Sequence, residues 1–465
     1  MDACFAHDGH GECGGIKDEN GNWNTAAHKE RIVYFGEEEL KVLSEAFEGG
    51  TDWESVKLTS IHSEVVVSVL EKLSKFPSHL KDISSQIIVS EGLHETNSVD
   101  RGIMKRNTCF PAINKYELIY SGPHFFCGNP LYKTPRSKCL LNSDYDSVDL
   151  LSLKEDFVPR TNYTPTISVE RFTELIPGFL SGQDQKGKPI YDSWSDYYKV
   201  GFRRMIGSTS ERSLSGAILL PKCLHIGAVV SVTFKKYDQL VEFTGLTSSL
   251  VMDFYVKVLK ISDIHANRVL PFPLGIPDKY KPALFVRTLM LNCLTKYYTD
   301  LWEEMWREDY KSQRWSIEDE RLKPFSSLQS KWSWDTPLRN YFERRQALVE
   351  IDVISAMALG LSLQDLEMIY NIQFPVLQQN ENDTWYDRKG NIVFTCSKGL
   401  TGVGVDRPVW ERIRDMQEGE TYEHTIEKSE LYRGQKVTYY APFTKCDRVE
   451  DYRRAWGHFE KIFNN

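Results

Sequence analysis

The chain has 465 residues, a formal net charge of −8, 41% apolar residues and 26% charged residues. That length gives room for two or three domains. The negative balance excludes a non-specific basic coat for nucleic acid but leaves room for a local basic face that meets phosphates. No apolar run of about 18 residues occurs, so no membrane role is expected, and the opening residues do not read as a signal peptide.

Nine cysteines, an odd number without framework spacing, predict reduced thiols and a cytoplasmic setting. Residues 1–30 are rich in Gly, Asp and Asn and read as an irregular lead-in. Cys4, His7, His10 and Cys13 recur at every third position. Their types suit zinc, but no second half follows, and no metal is assigned. Apolar residues at helical spacing predict helices over Glu37–Phe47 and Ser63–Leu73. Tyr116–Ile119 and Phe125–Cys127 read as short strands. Asp146, Asp149, Glu155 and Asp156 read as an exposed acidic stretch.

Ile167–Ile176 and Tyr197–Ile206 read as helices, with Ser181–Pro189 between them as an exposed loop. Gly216–Leu220, Ala228–Phe234 and Leu240–Phe243 are β-rich runs. Ser248–Leu259 reads as a helix with Ser248 or Ser249 at its cap. Ala283–Trp306 reads as one long amphipathic helix. Asp309–Lys331 is polar, charged and interrupted by Pro324, the composition of a linker. Leu338–Leu359, Leu363–Ile372 and Val449–Phe463 read as helices, and Thr421–Ile426 with Lys436–Tyr440 as a hairpin. The expected organisation is a largely helical lead-in over 1–106, a body over 107–308, a linker over 309–331, and a helical C-terminal part over 332–465 with a small β-hairpin.

Ser121–Arg136 carries the most chemical information. An apolar run leads into Asn129-Pro130-Leu131-Tyr132, followed by Lys133, Pro135 and Arg136. Enzymes that methylate adenine in DNA carry a similar Asn-Pro-Pro-Tyr at a strand end. A base taken out of the helix stacks on an aromatic ring. Its exocyclic amine then meets a side-chain amide oxygen and a backbone carbonyl held by proline. Here Leu131 stands at the second proline. In one reading Asn129, Pro130 and Tyr132 form a catalytic loop. In the other they form a DNA-facing turn whose Lys133 and Arg136 meet phosphate. His124 and His225 sit beside apolar runs and read as satisfied buried histidines.

Further on, Glu211-Arg212-Ser213-Leu214, Ala217–Pro221, Phe243–Ser249, Asp253–Lys257 and Leu270-Pro271-Phe272-Pro273 follow one another in order. This series resembles the target-recognition region of large, fused adenine-specific DNA methyltransferases of type II restriction–modification and phage-defence systems. Ala441-Pro442-Phe443 through Asp447-Arg448, with Tyr452–Trp456, is similar to the C-terminal end of such proteins. The resemblance implies a mixed α+β fold, with a TaqI-like target-recognition domain and helical extensions. It implies binding of double-stranded DNA, with Arg203, Arg204, Arg212, Lys235 and Lys236 joining Lys133 and Arg136 as DNA-binding residues.

The family's cofactor is S-adenosylmethionine, held by a Gly-rich loop after the first strand of the catalytic domain. No such strand–loop–helix unit precedes residue 121, and Lys398–Gly404, although Gly-rich, has no βαβ pattern around it. The chain is therefore expected to lack a complete Rossmann-like methyltransferase domain and not to bind S-adenosylmethionine alone. A separate or missing catalytic domain or subunit would supply methyl transfer. The alternatives are an active N6-adenine DNA methyltransferase with a divergent Asn-Pro-Leu-Tyr motif, and an inactive remnant of a split gene.

Overall fold

A computed structural model describes residues 2–464 apart from 12, 16–21, 49–52, 56–60, 62, 63, 111, 113–116, 142, 169, 170, 172–177, 208 and 209. The chain is 40% helical and 18% strand, a mixed class in which neither element dominates. At its centre lies a four-stranded antiparallel sheet built from β1 (Ile87–Ser90), β2 (Lys199–Arg203), β3 (Gly216–Leu219) and β4 (Val229–Phe234), in the order β1-β4-β2-β3. Val200 stands opposite Val232, and Phe202 opposite Val230. These side chains share one face, because successive residues of a strand point to opposite sides.

Helices layer on that face, with Tyr237–Ser248 directly against the strands and the rest packed on it or on one another. They are α1 (Glu64–Ser74), α2 (Tyr237–Ser248), α3 (Leu250–Val258), α4 (Lys281–Asn292), α5 (Tyr341–Ala358), α6 (Leu363–Gln373) and α7 (Arg448–Phe463). Phe243 of α2 meets Phe234 and Phe202 edge-on or tilted, at centroid distances of 5.4 and 6.1 Å. The sheet's second face carries Lys199 and Ser231. It packs on Trp194, 4.8 Å from the Lys199 amine, and on His225, whose Nε2 lies 2.8 Å from Ser231 Oγ. With both faces covered, β4 is buried along its whole length, which explains its near-continuous apolar run.

Serine and asparagine set several helix starts. Ser249 accepts from Met252 N–H, Ser362 from Asp365 N–H, and Asn340 from Glu343 N–H, while Glu343 returns the bond to the Asn340 backbone. Helix α5 is buried nearly all round and packs on α2, α4 and α7. Most of its buried charges are in ion pairs: Glu350 with Arg287, Asp352 with Arg448, and Arg345 with Glu381 and Asp451, while Arg344 is held by the carbonyls of Leu291, Leu338 and Gly128.

Four expected elements are corrected. Phe125–Cys127 is not a strand but part of a turn, in which only Phe126 makes an isolated bridge, to Asn129. Tyr197–Ile206 is not a helix; it contains the strand β2, because Val200 and Phe202 alternate with Lys199 and Gly201 across the buried sheet. Leu240–Phe243 is not a strand but part of α2. The threonine and serine hydroxyls of α2 bond back to its own carbonyls, as in Thr244 Oγ1 to Leu240 O at 2.7 Å, and packing overrides β-propensity. Ala283–Trp306 is not one helix. It stops at Asn292, whose Nδ2 donates to Thr288 O while its Oδ1 accepts from Ile218 N–H of β3. The chain resumes as short turns at Lys296–Tyr298 and Thr299–Glu304.

The other boundaries lie closer to expectation. The hairpin of Thr421–Thr425 with Lys436–Tyr440 pairs Thr421 with Tyr440. Most of the helix expected over Ile167–Ile176, and Tyr116 of the first expected strand, lie outside the described residues.

One apolar cluster runs from Val42 through the sheet and helices to Phe459. It crosses every boundary that composition drew. Asp309–Lys331, expected as a linker, contributes Tyr310, Phe325 and Leu328 to that cluster. Its backbone is tied as well, with Trp302 Nε1 donating to Gln329 O and Arg287 Nη2 to Arg314 O. The charged residues set the stretch's composition, while a few apolar ones set its packing. The lead-in is docked too, since Lys72 of α1 meets Asp365 of α6 at 2.7 Å.

Candidate functional site

Asn129 belongs to a tight turn. Phe126 N–H donates to Asn129 O and Asn129 N–H to Phe126 O, each at 2.9 Å, around Cys127 and Gly128. Gly128 has φ of 63°, which a side chain would strain. Asn129 Oδ1 accepts from Leu131 N–H at 3.0 Å, and Pro130 is buried. The chain then runs to Tyr132, whose N–H donates to His124 O. The Tyr132 ring stacks on Phe126 with centroids 5.1 Å apart. The Arg203 guanidinium lies 5.2 Å from the Phe126 centroid and 5.7 Å from that of Tyr132.

The Tyr132 hydroxyl donates to Gly399 O. The Gly-rich stretch Lys398–Gly404 thus covers the Asn129 turn, and two motifs far apart in sequence meet. Burial pushes the Tyr132 phenol well up from its ordinary value. It holds the Lys133 amine, half-buried and 5.0 Å from the Tyr132 centroid, below its own.

Beside the turn lies a cavity of about 180 Å³, walled by Phe126, Asn129, Tyr132, Glu211, Asn380 and Arg345 among others. Glu211 Oε2 accepts from Asn380 Nδ2 at 2.6 Å and from Ser397 Oγ at 2.8 Å. Arg345 Nη2 is buried without a hydrogen-bond partner. A cavity of about 150 Å³ takes one benzene-sized ring, whereas pockets for drug-sized ligands run to about 300–1,000 Å³. This one has the size of a single ring or a few waters.

The remaining residues expected at DNA divide into buried and exposed. Arg203 donates to Gly122 O at 2.8 Å and to Phe125 O at 2.6 Å. Arg212 is buried, bonded to Asp253 Oδ2 and Ser248 O, both at 2.7 Å. These two guanidiniums hold the fold's interior, and neither presents a face to phosphate in this conformation. Arg136 is half-buried, spending Nε on Asp146 and Nη2 on Lys428 O. Asp146 itself, expected as exposed, is buried and also accepts from the backbone of Glu430 and Leu431. Arg204 is held in a two-point bond to Asp263. Lys235 and Lys236 are exposed at the end of β4. His124 and His225 are buried, and the His124 Nε2 donates to Arg160 O at 2.7 Å.

The strands Ile87–Ser90, Met104–Phe110 and Thr161–Pro165 are not read from the sequence, and Ser181–Pro189, expected as an exposed loop, is part of a hairpin. Gly178–Gln183 and Pro189–Ser193 form an antiparallel hairpin, and residues 181–190 are exposed without exception. Asp184 organises the tip. Its Oδ1 accepts from Lys186 N–H and Lys188 N–H, both at 2.8 Å, and its carbonyl accepts from Gly187 N–H. The tip presents Gln183, Gln185, Lys186 and Lys188, and the strands expose Leu180, Ile190 and Tyr191. At the root Phe179 is buried against Tyr197, and Lys235 Nζ reaches Leu180 O at 3.4 Å. The signal was present: Asp and Gly at turn positions between Phe179-Leu180 and Ile190-Tyr191.

No protein-family model and no curated protein matches this chain. Among the described residues no helix is long and apolar enough to cross a membrane.

Proposed function

We propose that this chain is the DNA target-recognition part of an adenine-specific DNA methyltransferase of a restriction–modification or phage-defence system. It docks on double-stranded DNA in the cytoplasm and positions the target for a separate catalytic domain or subunit, which holds S-adenosylmethionine. The observation that carries this reading is the exposed hairpin at 178–193. The major groove, about 12 Å wide, admits a two-stranded β-ribbon. Gln183 and Gln185 present side-chain amides, the group that pairs with the adenine edge in two-point fashion. Lys186 and Lys188 at the tip, with Lys235 and Lys236 at the root, supply phosphate contacts in a chain that is acidic overall. The four-stranded sheet is antiparallel, so it serves as a platform rather than as a βαβ cofactor cradle.

In this reading Asn129, Pro130 and Tyr132 set the shape of a turn. Asn129 Oδ1 is engaged by Leu131 N–H, and the Tyr132 ring already stacks on Phe126. One observation favours the rival, a catalytically active N6-adenine methyltransferase: the ring-sized cavity touches both Asn129 and Tyr132.

Two measurements on the purified chain separate them. Fluorescence anisotropy with duplex DNA at low salt should show binding that the Lys186→Ala/Lys188→Ala double variant loses at least tenfold. Calorimetry with S-adenosylmethionine should show no heat of binding. Undiminished binding by the double variant would sink the hairpin reading, and micromolar cofactor binding would promote the rival.

A further inference from the structure

The lead-in is a closed loop rather than an open tail. Arg31 reaches back to Asn24 O at 2.8 Å and Gly14 O at 3.2 Å, and Asn24 Nδ2 donates to Gly15 O at 3.0 Å. Gly9 and Gly11 have φ of 85° and 90°, the left-handed backbone that doubles the chain back between Cys4 and Cys13. Gly15 touches α6 so closely that a Cβ there would sit 2.8 Å from Asn371 O.

Inside this loop lies a cluster of metal-binding groups that the DNA reading does not use. Cys13, His28 and Glu30 bring their ligand atoms within 4.8 Å of one another. The rings of His7 and His28 lie 4.5 Å apart, centroid to centroid. His28 is buried, whereas His10, part of the regular Cys/His run, is exposed.

We propose that this cluster is a zinc site in which Cys13, His28 and Glu30 are ligands and a water takes the fourth position of the tetrahedron. Bonds of about 2.3 Å to sulfur and about 2.1 Å to nitrogen place two ligand atoms of one zinc at most about 4.4 Å apart. In a tetrahedron the same bonds set ligand atoms roughly 3.6 Å apart, so the cluster contracts by up to about an ångström when zinc binds. Thiolate and imidazole together select zinc over magnesium or calcium. His28 Nε2–H donates to Gly11 O at 3.2 Å, the kind of backbone bond that fixes the tautomer of a ligating histidine. That leaves Nδ1 as the metal-facing nitrogen, where it now accepts from Glu30 N–H. Bound zinc would lock the lead-in against α6.

The test uses the full chain, grown with zinc and dialysed against metal-free buffer. Elemental analysis should find about one zinc per chain, as a single tetrahedral site requires. Cys13→Ser and His28→Ala should lose it, and His10→Ala should keep it. The cobalt-exchanged protein should show thiolate-to-metal charge transfer and the visible bands of a tetrahedral ion, a readout independent of any activity. The main thermal transition should stay in place in Cys13→Ser, because the main apolar cluster draws on residues from Phe35 onward. Loss of zinc is then distinct from loss of fold. A wild-type chain that takes up no zinc on titration with zinc chloride would overturn the proposal. So would zinc retained in both Cys13→Ser and His28→Ala.

Discussion

Arg448 Nη1 lies 2.7 Å from Asp352 Oδ2, and both side chains are buried. The same guanidinium holds Glu381 through Nε and Nη2, and Asp352 takes a further bond from the Tyr452 hydroxyl. One side chain thus joins α7, α5 and the short helix Pro375–Asn382. Glu381 shows the balance of forces. Burial would raise its carboxyl, but Arg448 and Arg345 more than offset that and bring it down to about 2.

Arg448→Met should therefore cost about 3–5 kcal/mol, because it takes from buried Asp352 its ionic partner and from Glu381 one of two. Lys72→Met, at the half-exposed bridge to Asp365, should stay within about 1 kcal/mol. Urea denaturation of both variants is the check. An Arg448→Met loss as small as that of Lys72→Met would mean the network adds nothing to stability.

Limited proteolysis should respect packing rather than composition. Trypsin should cut first after Lys186, where the hairpin tip is exposed; Lys188 is protected by the Pro189 that follows it. Asp309–Lys331 should resist despite its charge, since Tyr310, Phe325 and Leu328 are buried in the main cluster. Phe325→Ala should then destabilise by about 3–5 kcal/mol and expose the stretch to cleavage. An early cut between 309 and 331 in the wild type would restore that segment as a boundary.

The regular pieces of this fold were legible, and the reasons differ from one to another. Ser362 before an apolar periodic run announced α6, and Val229–Phe234 announced a buried strand, because cap and pattern are local signals. Tyr197–Ile206 failed because Val200 and Phe202 satisfy a strand only when partners from 216–219 and 229–234 arrive. The fate of Arg203 and Arg212 was equally non-local. Both were expected at DNA, yet Arg203 turns to two carbonyls and Arg212 to Asp253. His28 escaped the Cys/His run because loop closure, not spacing, brings it to Cys13.

His225 gives the fold a pH dependence. It is buried against Trp194, and burial pushes its imidazole down to about 4. In the unfolded chain a histidine titrates near about 6.5. Between those values the unfolded state binds more protons, so stability falls as pH drops through that window and loses nothing more from this group below it. The full loss is on the order of 3 kcal/mol. His124, also lowered by burial, adds to the same limb. His225→Gln should lower stability at pH 8 but flatten the decline toward pH 4, read as urea midpoints across the range. An unchanged slope would mean that His225 does not control it.

The last prediction separates interior arginines from surface lysines. Arg203 supports the Phe126–Tyr132 stack through its bonds to Gly122 O and Phe125 O. Arg203→Ala removes bonds from a charged donor, worth about 1.5–3 kcal/mol each, so it should act on stability and reach DNA only through the fold. Lys186→Ala and Lys188→Ala lie on an exposed tip and should leave stability within about 0.5 kcal/mol. Each should weaken binding to all duplexes alike and reduce the salt slope of the binding constant by about 1. Gln183→Ala or Gln185→Ala should do the opposite, changing sequence preference at an A·T pair by about 1–3 kcal/mol with the salt slope intact. Anisotropy titrations at several salt concentrations, paired with thermal melts, read all of these. If Arg203→Ala reduced affinity with its melt unchanged while the lysine variants bound normally, the DNA surface would lie at the Asn129 turn and not at the hairpin.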